Sequence, residues 1–125
     1  MRRALIVDDA VTVRMYHRQI LERAGFEVDE AENGVEALEK ALVTPYDLLL
    51  VDVNMPKMDG YTFLKEVRST PELRAIPAIM ISTEAERRDQ EQAYRVGANL
   101  YLVKPVRPEA LSLRATLMAA RGGSR

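Results

Sequence analysis

The chain has 125 residues, 47% of them hydrophobic, which suits one globular domain with a real core and excludes a disordered polymer. Eighteen basic against nineteen acidic residues leave a net charge of -1, which argues against nonspecific binding to nucleic acid or to an anionic membrane surface. There is no cysteine for a disulfide, thiolate site or nucleophile, no signal-peptide layout and no run long enough to span a membrane, so a soluble cytoplasmic domain is expected.

In chain order, short apolar runs alternate with longer amphipathic ones. "RALIV" (3–7) reads as a strand ending at Asp8 and Asp9, and residues 10–24 carry helical spacing that stops at Gly25. "FEVDEA" (26–31) alternates as a shorter strand near the edge, and "GVEALEKAL" (34–42) is the second helix. "DLLLVD" (47–52) is a continuous apolar run, the pattern of a strand buried on both faces, and "GYTFLKEVRS" (60–69) follows as the third helix. "IPAIMIS" (76–82) is the fourth strand, and residues 84–97 form a strongly polar fourth helix offering only Ala85, Ala93, Tyr94 and Val96 for packing. "NLYLVK" (99–104) is the fifth strand, and 107–120 the last helix, with Pro108 in its first turn. Residues 1–121 are read as one domain and 122–125 as a short flexible tail.

Five βα units in series call for a doubly wound α/β fold, a five-stranded parallel sheet with helices on both faces and right-handed crossovers. The expected order is 2-1-3-4-5, flavodoxin-like, with ligands bound at the carboxyl ends of strands beside the switch point between strands one and three. Asp8 and Asp9 close strand one, Asp52 closes strand three, Ser82 (with Thr83) closes strand four and Lys104 closes strand five. All of them converge on one sheet edge.

Three crowded carboxylates repel one another unless a cation intervenes, and an all-oxygen donor set favours a hard one, Mg²⁺. Lys104 offsets one of the three charges, and a single divalent ion balances the other two. Metal, ammonium and a Ser82 hydroxyl are what phosphoryl transfer needs, since its catalysis is mainly positioning and charge stabilisation. Asp52, in the middle, is the natural nucleophile, forming an acyl phosphate. Taken singly each element has a bland explanation: "DD" as a helix cap, Asp52 as a turn residue, Lys104-Pro105 as a chance dipeptide. Four strand ends agreeing is what carries the reading.

"LIVDDA", "VDVNMPKMDG", "MISTEAE" and "YLVKP", in this order and spacing, resemble the receiver domains of two-component response regulators across essentially the whole chain. The likeness is strongest to stand-alone receivers of the CheY chemotaxis type. The resemblance implies Asp52 as phosphoacceptor, Asp9 as a direct Mg²⁺ ligand, Asp8 acting through bound water, and the backbone carbonyl of Asn54 completing the protein ligands. It implies Lys104 as the partner of the phosphoryl oxygens and Ser82 as the switch hydroxyl; Thr83 competes for that role, but the spacing to Asp52 and Lys104 favours Ser82. Tyr101 fits the aromatic switch that turns inward when the hydroxyl moves to the phosphoryl group. Lys104-Pro105 is expected cis by family precedent. Asn54 and Glu84, each two positions beyond a site residue, fall where side chains control water access to the acyl phosphate, which implies a short-lived phosphoryl state.

The implied partners are a sensor histidine kinase as phosphodonor and a downstream protein docking on the face of helix four, strand five and helix five. No nucleic acid and no membrane are implied, and a monomer is expected. The implied role is a signalling switch rather than an enzyme, plausible in chemotaxis, with a phosphorelay shuttle or a receiver excised from a longer regulator as alternatives. An aspartyl-phosphate hydrolase shares the layout but wants an Asp where Asn54 stands, and a flavin-binding protein wants a phosphate-cradling loop where "DDAVTVR" supplies acids. His17, the only histidine, falls in the centre of the apolar stripe Ala10, Val13, Ile20, Leu21 and Ala24 and is read as a packed, neutral core residue.

Overall fold

A computed structural model describes residues 1–122, and Gly123–Arg125 lie outside the described residues. Ten elements alternate strictly: β1 (Arg3–Val7), α1 (Val11–Arg23), β2 (Glu27–Ala31), α2 (Gly34–Val43), β3 (Leu48–Asp52), α3 (Gly60–Ser69), β4 (Ala78–Ser82), α4 (Arg87–Arg95), β5 (Leu100–Val103) and α5 (Pro108–Gly122). All strand pairs are parallel, in the order β2-β1-β3-β4-β5. This is the doubly wound, flavodoxin-like arrangement that the alternation of short and long apolar runs calls for.

The two-residue period of the strands divides the core into two layers. Leu5, Val7, Leu49, Val51, Phe63, Met80 and Tyr101 fill one side of the sheet, beneath α2, α3 and α4. Ala4, Ile6, Leu48, Leu50, Ile79, Ile81, Leu111 and Ala115 fill the other, beneath α1 and α5. Every residue of β3 and β4 is buried, so these central strands need apolar side chains on both faces.

Local chemistry sets the ends of the helices. The Asn33 side chain accepts from the Glu36 amide at 2.9 Å, and the Glu36 carboxylate reaches back to the Glu32 amide at 2.6 Å, a reciprocal cap on α2. Asp59 caps α3 by accepting from the Thr62 amide at 2.8 Å. Gly97 ends α4 at φ 109°, a conformation that costs most other residues dearly. Its carbonyl accepts from Arg68 Nε at 3.0 Å, and the same guanidinium donates to the carbonyls of Arg74 and Ile76 and to the side chain of Asn99. One arginine thereby ties the C-terminal end of α4 to the α3–β4 loop, at the sheet edge away from the acidic cluster.

Several expected boundaries move. The fourth helix begins at Arg87 rather than at residue 84, because its N-cap Glu86 makes no side-chain cap and the preceding residues stay in a loop held by Ser82. Ala85 therefore lies exposed in that loop, and Ala93 is the one fully buried residue of α4. The fourth strand starts at Ala78, since Pro77 lacks the amide that a ladder requires. The last helix runs through Gly122, which places the first residue of the expected tail inside α5; the other three lie outside the described residues. Among the described residues, no helix is long and apolar enough to cross a membrane.

Candidate functional site

The carboxyl ends of β1, β3, β4 and β5 meet at one edge. Asp8 and Asp52 are almost fully buried there while Asp9 is exposed, and one carboxylate oxygen from each lies within 4.8 Å of the others. Lys104 Nζ donates to Asp52 Oδ1 at 2.8 Å and to Asp8 Oδ2 at 3.1 Å. The other Asp8 oxygen accepts from the Ala10 amide at 2.9 Å. Asp8 thus closes a turn after β1 instead of capping α1, whose N-cap is Ala10 with no side-chain cap.

Electrostatics follow from sharing one ammonium among several acids. Burial, reinforced by the charges of Asp8 and Asp9, pushes the Asp52 carboxyl above its ordinary range, and the hydrogen bond from Lys104 offsets only part of this. Burial alone would lower Lys104, but the Asp52 and Asp8 carboxylates outweigh it and hold the ammonium above the usual lysine range. Lys104 is therefore firmly charged, and the cluster is short of positive charge. The donor set is all oxygen, with Asp9 its exposed member, and fits a hard divalent cation better than a soft one.

Gly60 explains how α3 starts so close to the site. Its amide donates to the Val53 carbonyl at 2.8 Å, and a Cβ at this position would sit 2.3 Å from the Asp52 carbonyl oxygen. Only glycine lets the helix press against the backbone of Asp52. Between them, Asn54 is exposed at the mouth of the cluster.

At the end of β4 the two candidate hydroxyls separate: Ser82, the last strand residue, is 1% exposed, and Thr83, one position past the strand, is exposed. Ser82 Oγ accepts from the Glu84 amide at 3.1 Å, and the Glu84 carbonyl accepts from the Tyr101 hydroxyl at 2.7 Å. Tyr101 lies inward, 6% exposed, and its burial, with the nearby charges of Asp89 and Glu84, raises the phenol. The Glu84 side chain itself is exposed. The Lys104-Pro105 peptide is cis. Beside Lys104 a cleft of ≈ 340 Å³, lined by Thr12, Val13, Tyr16, His17, Pro105 and Val106 among others, opens to solvent.

His17 is buried, and burial is the main reason its imidazole is held below the usual histidine range, as expected of a neutral core residue. The roles of two residues of this region were not legible in the sequence, which did not mark Arg14 and read Tyr94 only as packing. Arg14 is buried against the acidic turn, although its place three residues before His17 on the inward face was a signal. Tyr94 is half exposed, yet its hydroxyl accepts from the Tyr101 amide at 3.2 Å and so covers the open edge of β5.

A parallel five-stranded sheet with an acidic cluster, a buried serine and a lysine at its carboxyl edge is the layout of the receiver class of doubly wound domains. The response regulator receiver domain model matches residues 4–116, and the chain belongs to that family. It is 43% identical over 109 residues to chemotaxis protein CheY1 of Helicobacter pylori, covering 86% of this chain and 88% of that protein. It is 38% identical over 117 residues to the transcriptional regulatory protein ResD of Bacillus subtilis, but spans 94% of this chain and only 48% of ResD. Among solved structures, Vibrio cholerae chemotaxis protein CheY4 superposes with a TM-score of 0.84 at 39% identity, over 94% of this chain and 96% of that one. The chain is CheY-like in sequence and in fold.

Proposed function

We propose that this receiver accepts a phosphoryl group on Asp52 from the phosphohistidine of a sensor kinase and thereby alters the affinity of its α4–β5–α5 face for a protein partner. The observation that carries the proposal is Lys104 shared between Asp52 and Asp8 at the strand ends, beside a third carboxylate. In the transfer, an Asp52 carboxylate oxygen attacks the phosphorus and the phosphorus–nitrogen bond of the donor breaks. The imidazole departs with that electron pair and takes up a proton. Asp8, Asp9, Asp52 and the Asn54 carbonyl would hold Mg²⁺, which supplies charge neutralisation as the phosphoryl group approaches.

Lys104 stays protonated and turns its contacts from the carboxylates to the phosphoryl oxygens, stabilising charge where it gathers. Ser82 turns its side chain to donate to another phosphoryl oxygen, and that movement of Oγ takes it away from the Glu84 amide it now accepts from. Because Glu84 also anchors Tyr101, that release biases the β4–α4 loop and with it the face formed by α4 and β5. The similarity to CheY1 and CheY4 supports chemotaxis as the setting. The partial span of ResD supports a second setting, a receiver that works within a longer regulator. Incubation with acetyl phosphate and Mg²⁺, followed by intact-mass measurement, tests the core of this reading. Wild type should gain one phosphoryl group and Asp52→Asn none; no gain in wild type overturns it.

A further inference from the structure

Asp9 is the exposed member of the acidic cluster, and among the described residues no hydrogen bond to its carboxylate is found. Its direction is therefore set by the backbone that carries it. That backbone is held from one side by Arg14. The guanidinium, on a residue only 8% exposed, donates from Nη1 to the Asp8 carbonyl at 2.6 Å and from Nε to Glu30 Oε1 at 2.7 Å. Glu30 is fixed in turn: its other oxygen takes Arg18 Nη1 at 2.5 Å, and its own carbonyl takes Lys40 Nζ at 2.5 Å.

The Asp8 amide donates to the Ala31 carbonyl at 3.0 Å, so β2 grips the residue twice, once directly and once through Glu30 and Arg14. The Asp8 carbonyl belongs to the Asp8–Asp9 peptide plane, and fixing that oxygen fixes the direction in which the chain leaves for Asp9. We propose that Arg14 is a positioning residue for divalent-cation binding, orienting Asp9 through the Asp8–Asp9 peptide. This rests on the reading of Asp8, Asp9 and Asp52 as the cation site.

Charge and position make opposite demands here, which gives the inference a sign. A guanidinium beside a cation site repels the cation, so a residue acting by charge alone would weaken binding and its removal would tighten it. A residue acting by orientation does the reverse.

The test is Mg²⁺ titration of the protein without phosphodonor, by calorimetry and by the amide shifts of Asp9 and Ala10. Arg14→Met should raise the Mg²⁺ dissociation constant about tenfold, the lower end for an outer-shell partner. Arg14→Lys, which keeps the charge and one donor, should fall between. Arg3→Met removes a different guanidinium paired with acids of β2, Glu27 and Asp29, and should bind as wild type does, which a general loosening of this region would not allow. Should Arg14→Met fail to fold, Glu30→Leu removes the acceptor that anchors Arg14 Nε while leaving the guanidinium, and weaker binding is expected there too. Mg²⁺ binding in wild type with equal or tighter binding in Arg14→Met overturns the positioning role alone. Absence of binding in wild type overturns the cation site itself.

Discussion

The Tyr101 hydroxyl donates to the Glu84 carbonyl at 2.7 Å, so the edge strand β5 is tied to the loop that leads into α4. The same residue's amide donates to Tyr94 on α4 at 3.2 Å. Tyr101 is thus fastened at one end to the β4–α4 loop and at the other to α4, in the proposed output face. Tyr101→Phe keeps the buried ring and removes one hydrogen bond, which should cost about 1 kcal/mol. Amide exchange should quicken in residues 84–88 while acetyl-phosphate labelling of Asp52 stays at the wild-type rate. Unchanged exchange there would detach Tyr101 from the loop.

Lys104 separates phosphoryl transfer from cation binding. Lys104→Met removes the ammonium shared by Asp8 and Asp52 and should lower the rate of phosphorylation about a hundredfold, in line with the loss of one preorganised charge stabiliser. Mg²⁺ should bind at least as tightly, because a competing positive charge is gone. Labelling rate and Mg²⁺ titration on the same preparation check both halves, and weaker Mg²⁺ binding would contradict this account.

Gly60→Ala places a methyl group 2.3 Å from the Asp52 carbonyl oxygen, against backbone that cannot swing aside. The expected cost is about 2–3 kcal/mol, typical of forcing an atom into a filled site. Because the displaced backbone belongs to Asp52, phosphorylation should fall in the molecules that do fold. Urea unfolding and mass-detected labelling measure the two effects separately.

His17 sets a pH dependence of stability. Its folded-state pKa lies below the unfolded value of 6.5, chiefly through burial. The unfolded chain therefore binds a proton that the folded chain refuses as pH drops below 6.5, and stability falls with it until pH passes the folded pKa. Wild type should show a lower urea midpoint at pH 5.5 than at pH 7.5, without added divalent metal. His17→Leu should flatten this window, and an equal slope in both proteins would assign it to other groups.

Asn54 and Glu84 are both exposed, each two positions beyond a site residue, and the proposed function gives them the role of holding water near a phosphorylated Asp52. Replacing either with Ala should slow loss of the phosphoryl group about tenfold, equivalent to about 1.4 kcal/mol of barrier. Decay of the phosphorylated mass after removal of acetyl phosphate reads this directly. A wild-type decay rate in both variants would leave water access to the backbone alone.

Much of this protein is legible in one dimension, for a physical reason. The alternation of "FEVDEA" and the unbroken apolar run "DLLLVD" are consequences of which faces are buried, so they announce the strands and their place in the sheet. Chain chirality then restricts the topology, and the strand ends follow, bringing Asp8, Asp9, Asp52, Ser82 and Lys104 to one edge. Less was legible where an element's ends rest on few contacts. The start of α4 moved to Arg87 because a helix with a single buried residue and no side-chain cap has no strong local signal for where it begins.

Tertiary structure alone decided what depends on distant partners. Arg14 reads as one more charged helix residue until Glu30, sixteen positions away, and the Asp8 carbonyl supply what a buried guanidinium needs. Tyr94 reads as weak packing until the unpaired edge of β5 turns its hydroxyl into an acceptor. Gly60 reads as the start of a helix until the Asp52 carbonyl lies where its Cβ would be. Periodicity encodes burial because burial repeats along a chain. A hydrogen bond to a carbonyl or a close approach of two backbones does not repeat, and only the folded chain brings those atoms together.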